Sequence, residues 1–176
     1  MGRHAVATKW DKGDIMRLPV GEYERDIFNL VKKIRHETLE IDVVLAIGRG
    51  GLIPAVYISY ILDIPMITIF ANRYSREGNP QGETQFSSIN GLFPLHVGHT
   101  ILVVDDMTDH GTTMGDIIGI LTQLGHTKII SAVVYYRSAS KYTPMFYGKR
   151  IENDTWIHFP YDLCIGEDCR CGGIPK

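Results

Sequence analysis

The sequence predicts an α/β protein with a mostly parallel central sheet flanked by helices, and three observations predict it. Apolar runs at 41–47, 66–70, 101–104 and 128–136 lack the alternation of a half-exposed strand, as strands buried on both faces of a parallel sheet do. Segments with helical spacing separate them, at 21–39, 55–62 and 114–124. Two of the runs end in short glycine-bearing turns that lead into helices, at 48–54 and 105–113. In such sheets the carboxyl ends of the strands open onto the ligand crevice.

The chain as a whole bounds the function. Its 176 residues fit one domain with a sizeable core, and a formal net charge of −2 offers no basic surface for nucleic acid or membrane. No apolar run is long enough to span a bilayer. The segment from Met1 to Trp10 lacks the apolar core of a secretion signal, and Val6 excludes a myristoylation signal behind Gly2. A cytoplasmic protein is expected.

In chain order, Ile27, Leu30, Val31 and Ile34 recur at helical spacing between Gly21 and Leu39, with Lys32, Lys33, Arg35 and Glu37 on the solvent side. This is a packing helix without chemistry. The strand at 41–47 runs into Gly48-Arg-Gly-Gly-Leu-Ile-Pro54. Glycines around one arginine let the backbone approach an anion while the guanidinium pairs with it. Ala55 to Leu62 reads as a buried helix ending near Asp63-Ile-Pro65, and Met66 to Phe70 as the next strand. Asn72 to Gln85 is polar, aperiodic and expected to lack regular structure, as a functional lid does. Ser87 to Val97 is expected to return to the sheet as an antiparallel arm. His96 and His99 are expected to be solvated surface residues.

The central stretch is Ile101-Leu-Val-Val-Asp-Asp-Met-Thr-Asp-His-Gly-Thr-Thr-Met114. A buried strand delivers Asp105 and Asp106 to the crevice, and a turn rich in Gly and Thr opens a helix whose first amides suit a phosphate. Acids for sugar hydroxyls beside amides for a phosphate describe a sugar-phosphate site. Neither a Gly-x-x-x-x-Gly-Lys-Ser/Thr loop nor a Gly-x-Gly-x-x-Gly fingerprint is present, which excludes P-loop and dinucleotide sites. Met114, Ile117, Ile118, Leu121 and Leu124 trace one face of the helix, and Gly125 caps it. Lys128 to Tyr136 is a strand that delivers Arg137 at its crevice end.

Val-Val-Asp-Asp-Met-Thr-Asp-His-Gly-Thr-Thr resembles the phosphoribosyl-pyrophosphate motif of type I phosphoribosyltransferases, and Gly-Arg-Gly-Gly-Leu-Ile-Pro resembles their pyrophosphate loop. Asp154-Thr-Trp-Ile-His-Phe-Pro-Tyr-Asp162 is similar to the hood of xanthine–guanine phosphoribosyltransferases. The resemblance runs from the first strand to Leu163. It implies the type I phosphoribosyltransferase fold, with a phosphoribosyltransferase domain at 1–163 whose hood is roughly 141–163. By the resemblance Asp109 is the catalytic acid–base group, with Asp105 and Asp106 on the ribose and Asp106 helping to place Mg²⁺. Arg49, Gly50 and the residues His110, Gly111, Thr112 and Thr113 would complete the phosphoribosyl-pyrophosphate site, with a cis peptide at Gly48–Arg49. Arg137, Trp156, Ile157 and Asp162 would hold a purine, and Arg73, Tyr74 and Arg76 would belong to a flexible catalytic loop. Two positions depart from the pattern: His110 stands where Thr or Ser is usual, and Arg137 where Lys is usual.

The expected activity is Mg²⁺-dependent transfer of the phosphoribosyl group to a 6-oxopurine (xanthine, guanine or hypoxanthine), by a homodimer or homotetramer. A phosphoribosyltransferase for another base, and a non-catalytic sensor of phosphoribosyl pyrophosphate, are the alternatives. The tail at 164–176 carries Cys164, Cys169 and Cys171. Three thiols this close could hold zinc with one more ligand or pair as a disulfide with one left over, but their spacing matches no common zinc module and a mobile tail is the expectation.

Overall fold

The computed structural model describes residues 15–74, 80–86, 95–152 and 155–162, those of 72–74 and 80–86 by backbone alone. Two compact units divide the chain: Asp26–Asn153, and Met1–Arg25 together with Asp154–Lys176.

The larger unit is a six-stranded sheet in the order β4-β3-β2-β5-β6-β7. Its strands are β2 Val43–Gly48, β3 Met66–Tyr74, β4 Pro80–Phe86, β5 Ile101–Thr108, β6 Ile129–Arg137 and β7 Phe146–Ile151. All pair in parallel except β4, which lies antiparallel to β3 at the edge. The strand order reverses between β2 and β5, and crevices form at the carboxyl ends of strands flanking such a reversal. Val43, Val44, Leu45, Ala46 and Ile101 to Val104 are buried without alternation, as the parallel reading requires.

Three helices complete the layers: α1 Val20–His36, α2 Leu52–Leu62 and α3 Thr112–Gln123. Ile27, Leu30, Val31 and Ile34 are the buried stripe of α1. The helix stops at His36 rather than Leu39, because its apolar spacing ends at Ile34. The amides of Glu37 and Thr38 turn back to Ile34 and Arg35, and Thr38 adopts φ 48°. Met114, Ile117 and Leu121 pack α3 inward, whereas Leu124, expected on that face, is 57% exposed because it lies past the last turn. Gly125 closes the helix in the left-handed region, its amide donating to Thr122 O at 3.0 Å.

The expected layout of 72–97 needs correction. The antiparallel return is β4, at 80–86, so the polar stretch that was expected to lack regular structure holds the end of β3 and all of β4. Leu95 to Val97 is not strand, and 87–94 lie outside the described residues. Edge pairing rests on backbone hydrogen bonds and leaves no apolar run in the sequence to read. Phe146–Ile151, grouped with the hood from sequence, is the sixth strand of the main sheet.

In the smaller unit, β1 Ile15–Arg17 pairs in parallel with β8 Trp156–His158, setting Ile15 opposite Trp156 and Met16 opposite Ile157. Tyr23, Phe159 and Tyr161 form an aromatic cluster, Phe159 stacked on Tyr161 at 5.3 Å and Tyr23 edge-on to Phe159 at 5.7 Å.

Candidate active site at the β2–β5 switch

Strand β5 carries Asp105 and Asp106 to its carboxyl end, where the turn after β2 leans on them. A Cβ on Gly50 would stand 2.1 Å from Asp106 Oδ2, and one on Gly51 would stand 2.5 Å from Val104 O. Only glycine allows the two strand ends to meet at this distance. The Gly48–Arg49 peptide is cis, and Arg49 is exposed beside this contact.

Crowding two carboxyls here costs charge. Asp105 is half-buried as a residue, yet burial of its carboxyl group pushes its pKa well above the ordinary 3.8. The neighbouring Asp106 charge raises it further, while the backbone amides of Asp106 and Gly51 pull the other way. The Asp106 amide donates to Asp105 Oδ1 at 2.9 Å. A cation or sugar hydroxyls arriving at this pair would relieve the repulsion.

Behind the acids the chain turns through Gly111 at φ 80° and enters α3. The turn and the helix start line a hollow of about 60 Å³ with Asp105, Thr108, Asp109, His110, Thr112 and Thr113 among its walls. No side-chain cap satisfies the first amides of α3, which leaves them to an incoming anion. Thr108 Oγ1 is buried without a hydrogen-bond partner among the described residues. A Cβ on Gly111 would meet Ser140 Oγ at 2.5 Å and the Tyr142 amide at 2.6 Å, so the turn is braced by the loop after β6.

Register brings in the last group. Thr108, the last residue of β5, pairs with Tyr136, which brings Asp109, just past the end of β5, beside Arg137, the last residue of β6. Arg137 Nε donates to Asp109 Oδ1 at 2.5 Å, and His110 Nδ1 lies 3.0 Å from Asp109 Oδ2. Both Arg137 and the imidazole of His110 thus converge on one carboxylate. Sequence reasoning placed these three residues in the site but missed their contacts, because the register of β6 against β5 that brings them together leaves no local signal in the sequence.

The structure therefore brings together Gly50, Asp105, Asp106, Asp109, His110, Gly111, Thr112, Thr113 and Arg137. Trp156, Ile157 and Asp162 belong to the other unit. There Trp156 is half-buried and Ile157 buried. The Asp162 carboxylate accepts from the Phe159 amide at 2.9 Å, closing a turn. Arg73 and Tyr74 lie on β3, and Arg76, Cys164, Cys169 and Cys171 lie outside the described residues. Among the described residues no helix is long and apolar enough to cross a membrane.

A pair of acids at a sheet switch point, with an amide-lined turn behind and a glycine loop against them, defines an α/β protein built for an anionic, hydroxyl-bearing ligand. Comparison with known proteins narrows the class. The family model for the phosphoribosyl transferase domain matches residues 19–168. A xanthine-guanine phosphoribosyltransferase of Cereibacter sphaeroides is 32% identical over 124 residues, 69% of this chain and 70% of that one. The crystal structure of a purine phosphoribosyltransferase from Pyrococcus horikoshii superposes with a TM-score of 0.70 at 32% identity, covering 85% of this chain and 94% of the other. A Neisseria gonorrhoeae protein solved with bound ppGpp gives 0.66 at 26% identity, covering 86% and 92%. The chain belongs to the phosphoribosyltransferase family.

Proposed function

We propose that the protein transfers the 5-phosphoribosyl group of phosphoribosyl pyrophosphate to a ring nitrogen of a 6-oxopurine, releasing pyrophosphate. The observation that carries this reading is the acid pair of Asp105 and Asp106 set against the amide-lined turn of His110 to Thr113. The names of the Cereibacter and Pyrococcus relatives support a purine acceptor.

Asp105 and Asp106 hold the ribose hydroxyls, and the amides from His110 to Thr113 grip the 5′-phosphate. Arg49 and the neighbouring loop amides hold the departing pyrophosphate. Asp109 takes the ring proton as the purine nitrogen bonds to the anomeric carbon. Arg137, tied to Asp109, is fixed at the same edge and donates toward the purine oxygen. Trp156 stacks on the purine, the Ile157 backbone reads its edge and Asp162 belongs to the same subsite, on the resemblance alone.

Magnesium fits this donor set. The acids are hard oxygen ligands, and their repulsion favours a cation beside them. Asp106, with Asp105 beside it, would hold Mg²⁺ mostly through water, where it would offset the charge growing on pyrophosphate. The reading places the enzyme in the cytoplasm as a dimer or tetramer.

The test is pyrophosphate release from phosphoribosyl pyrophosphate and Mg²⁺ in the presence of xanthine, guanine, hypoxanthine, adenine or a pyrimidine base. Release with one of the first three is expected. Release only with a pyrimidine would move the acceptor class, and tight donor binding without release for any base would favour a sensor.

A further inference from the structure

The two oxygens of the Asp109 carboxylate have different partners. On Oδ1 is Arg137 Nε at 2.5 Å, on a side chain only 9% exposed. A guanidinium is already fully protonated and cannot take up a proton. On Oδ2 is His110 Nδ1 at 3.0 Å, on a side chain 76% exposed. An imidazole can take up a proton at one nitrogen and release one from the other. Asp109 lies between them at 33% exposure, so the three side chains form a row from the interior to solvent.

We propose that His110 is a proton-relay residue that carries the purine's ring proton from Asp109 to solvent. The proposal rests on the phosphoribosyl-transfer reading above and deepens it. Among the described side chains that contact Asp109, the imidazole is the one that can accept a proton, because the other neighbour is a cation that holds all its protons. The ring N–H bond breaks as the Asp109 O–H bond forms. The Asp109 O–H bond then breaks as the Nδ1–H bond forms, restoring the carboxylate beside an imidazolium. Loss of the Nε2 proton to water leaves neutral imidazole with its hydrogen on Nδ1, and exchange with water returns that hydrogen to Nε2 before the next turnover, so each proton bound is released and no other reactant is consumed. At the moment of transfer Asp109 is protonated and the neutral imidazole carries its hydrogen on Nε2, so that Nδ1 accepts from the carboxyl O–H.

The backbone holds His110 in this role. Its carbonyl accepts from the Lys141 amide at 3.2 Å, and the next residue, Gly111, is braced against Ser140 and Tyr142. The charged groups facing the imidazole are Asp109 from the end of β5 and, through it, Arg137 from the end of β6. Thr112 and Thr113 line the same hollow from α3, and Lys141 lies on the loop after β6.

The experiment compares the wild type with His110→Gln and His110→Ala in weak buffer, using whichever base the wild type accepts. The relay predicts a kcat lower by about ten- to a hundredfold, the low end and below of what a positioned acid–base group supplies. KM for phosphoribosyl pyrophosphate stays near the wild-type value, one limb of the kcat–pH profile disappears, and added imidazole restores His110→Ala but not His110→Gln. Unchanged kcat overturns the proposal. So does a raised KM with kcat kept, which would make His110 a phosphate contact, or a loss that imidazole leaves untouched. A wild type that releases pyrophosphate with no base overturns the transfer reading itself, and the relay with it.

Discussion

Asp105 near the end of β5 and Asp109 just past it stand four residues apart, and the fold treats their charges in opposite ways. Asp105 is pressed against Asp106 in a setting where burial and a like charge both favour its protonated form. Asp109 has a guanidinium on one oxygen and an imidazole on the other. The first arrangement stores repulsion that a cation or a hydroxyl-bearing sugar relieves on arrival. The second arrangement has its counter-charge built in and therefore holds its geometry before any ligand comes. A site can be made to bind by leaving electrostatic cost unrelieved, and made to react by fixing a charged group in advance.

Breaking the compensated side should have the largest effect. Asp109→Asn keeps the shape but removes the proton acceptor, and kcat should fall by about 10²- to 10⁴-fold. Donor affinity, measured by titration calorimetry, should stay within a few-fold. Near-normal turnover would remove Asp109 from the chemistry and dissolve the contrast.

Perturbing the repulsive side should act on binding instead. In Gly50→Ala the new methyl meets Asp106 Oδ2 at 2.1 Å and must displace it. Overpacking of this kind costs about 1–3 kcal/mol. Affinity for phosphoribosyl pyrophosphate with Mg²⁺ should drop by roughly ten- to a hundredfold, using 1.4 kcal/mol per factor of ten. An unchanged affinity would mean that the acid pair is not where the donor binds.

A third substitution asks whether the acceptor is handled apart from both acids. Trp156→Ala should weaken purine binding by about 1–3 kcal/mol, the worth of one stacked base, and spare the donor. Equal loss of both ligands would make Trp156 a packing residue of its strand.

The smallest effect is a pH dependence confined to Asp105. Its folded pKa lies above the ordinary 3.8, so between those two values the folded protein keeps a proton that the unfolded chain has lost. Its contribution to stability therefore falls as pH rises through that window. Asp105→Asn should flatten this part of the stability curve. Binding of Mg²⁺ with the donor should release up to about one proton in the same window, seen as a buffer-dependent heat. Proton uptake instead would reverse the assignment.

Much of this was legible in the chain. The apolar run ahead of Asp105, the turn at Gly111 and the helical spacing from Met114 to Leu121 are local patterns. Each is dictated by strand burial, glycine's access to positive φ or the period of a helix. The cis peptide at Gly48–Arg49 also matches what the resemblance implied. Other features left no such trace. The β3–β4 arm is polar and pairs through its backbone, so no apolar run marks its place at 80–86. The Asp162 carboxylate accepts from the Phe159 amide, a contact that depends on how one turn closes.

By itself the sequence determined which residues end the strands, which turns can admit an anion and which acids stand beside them. These follow from chemistry between near neighbours in the chain. Tertiary structure alone decided that Gly50 would lie on Asp106 and that Arg137 would reach Asp109. Those contacts need β2 beside β5 and β6 in one register with it, which only the packing of the whole sheet selects.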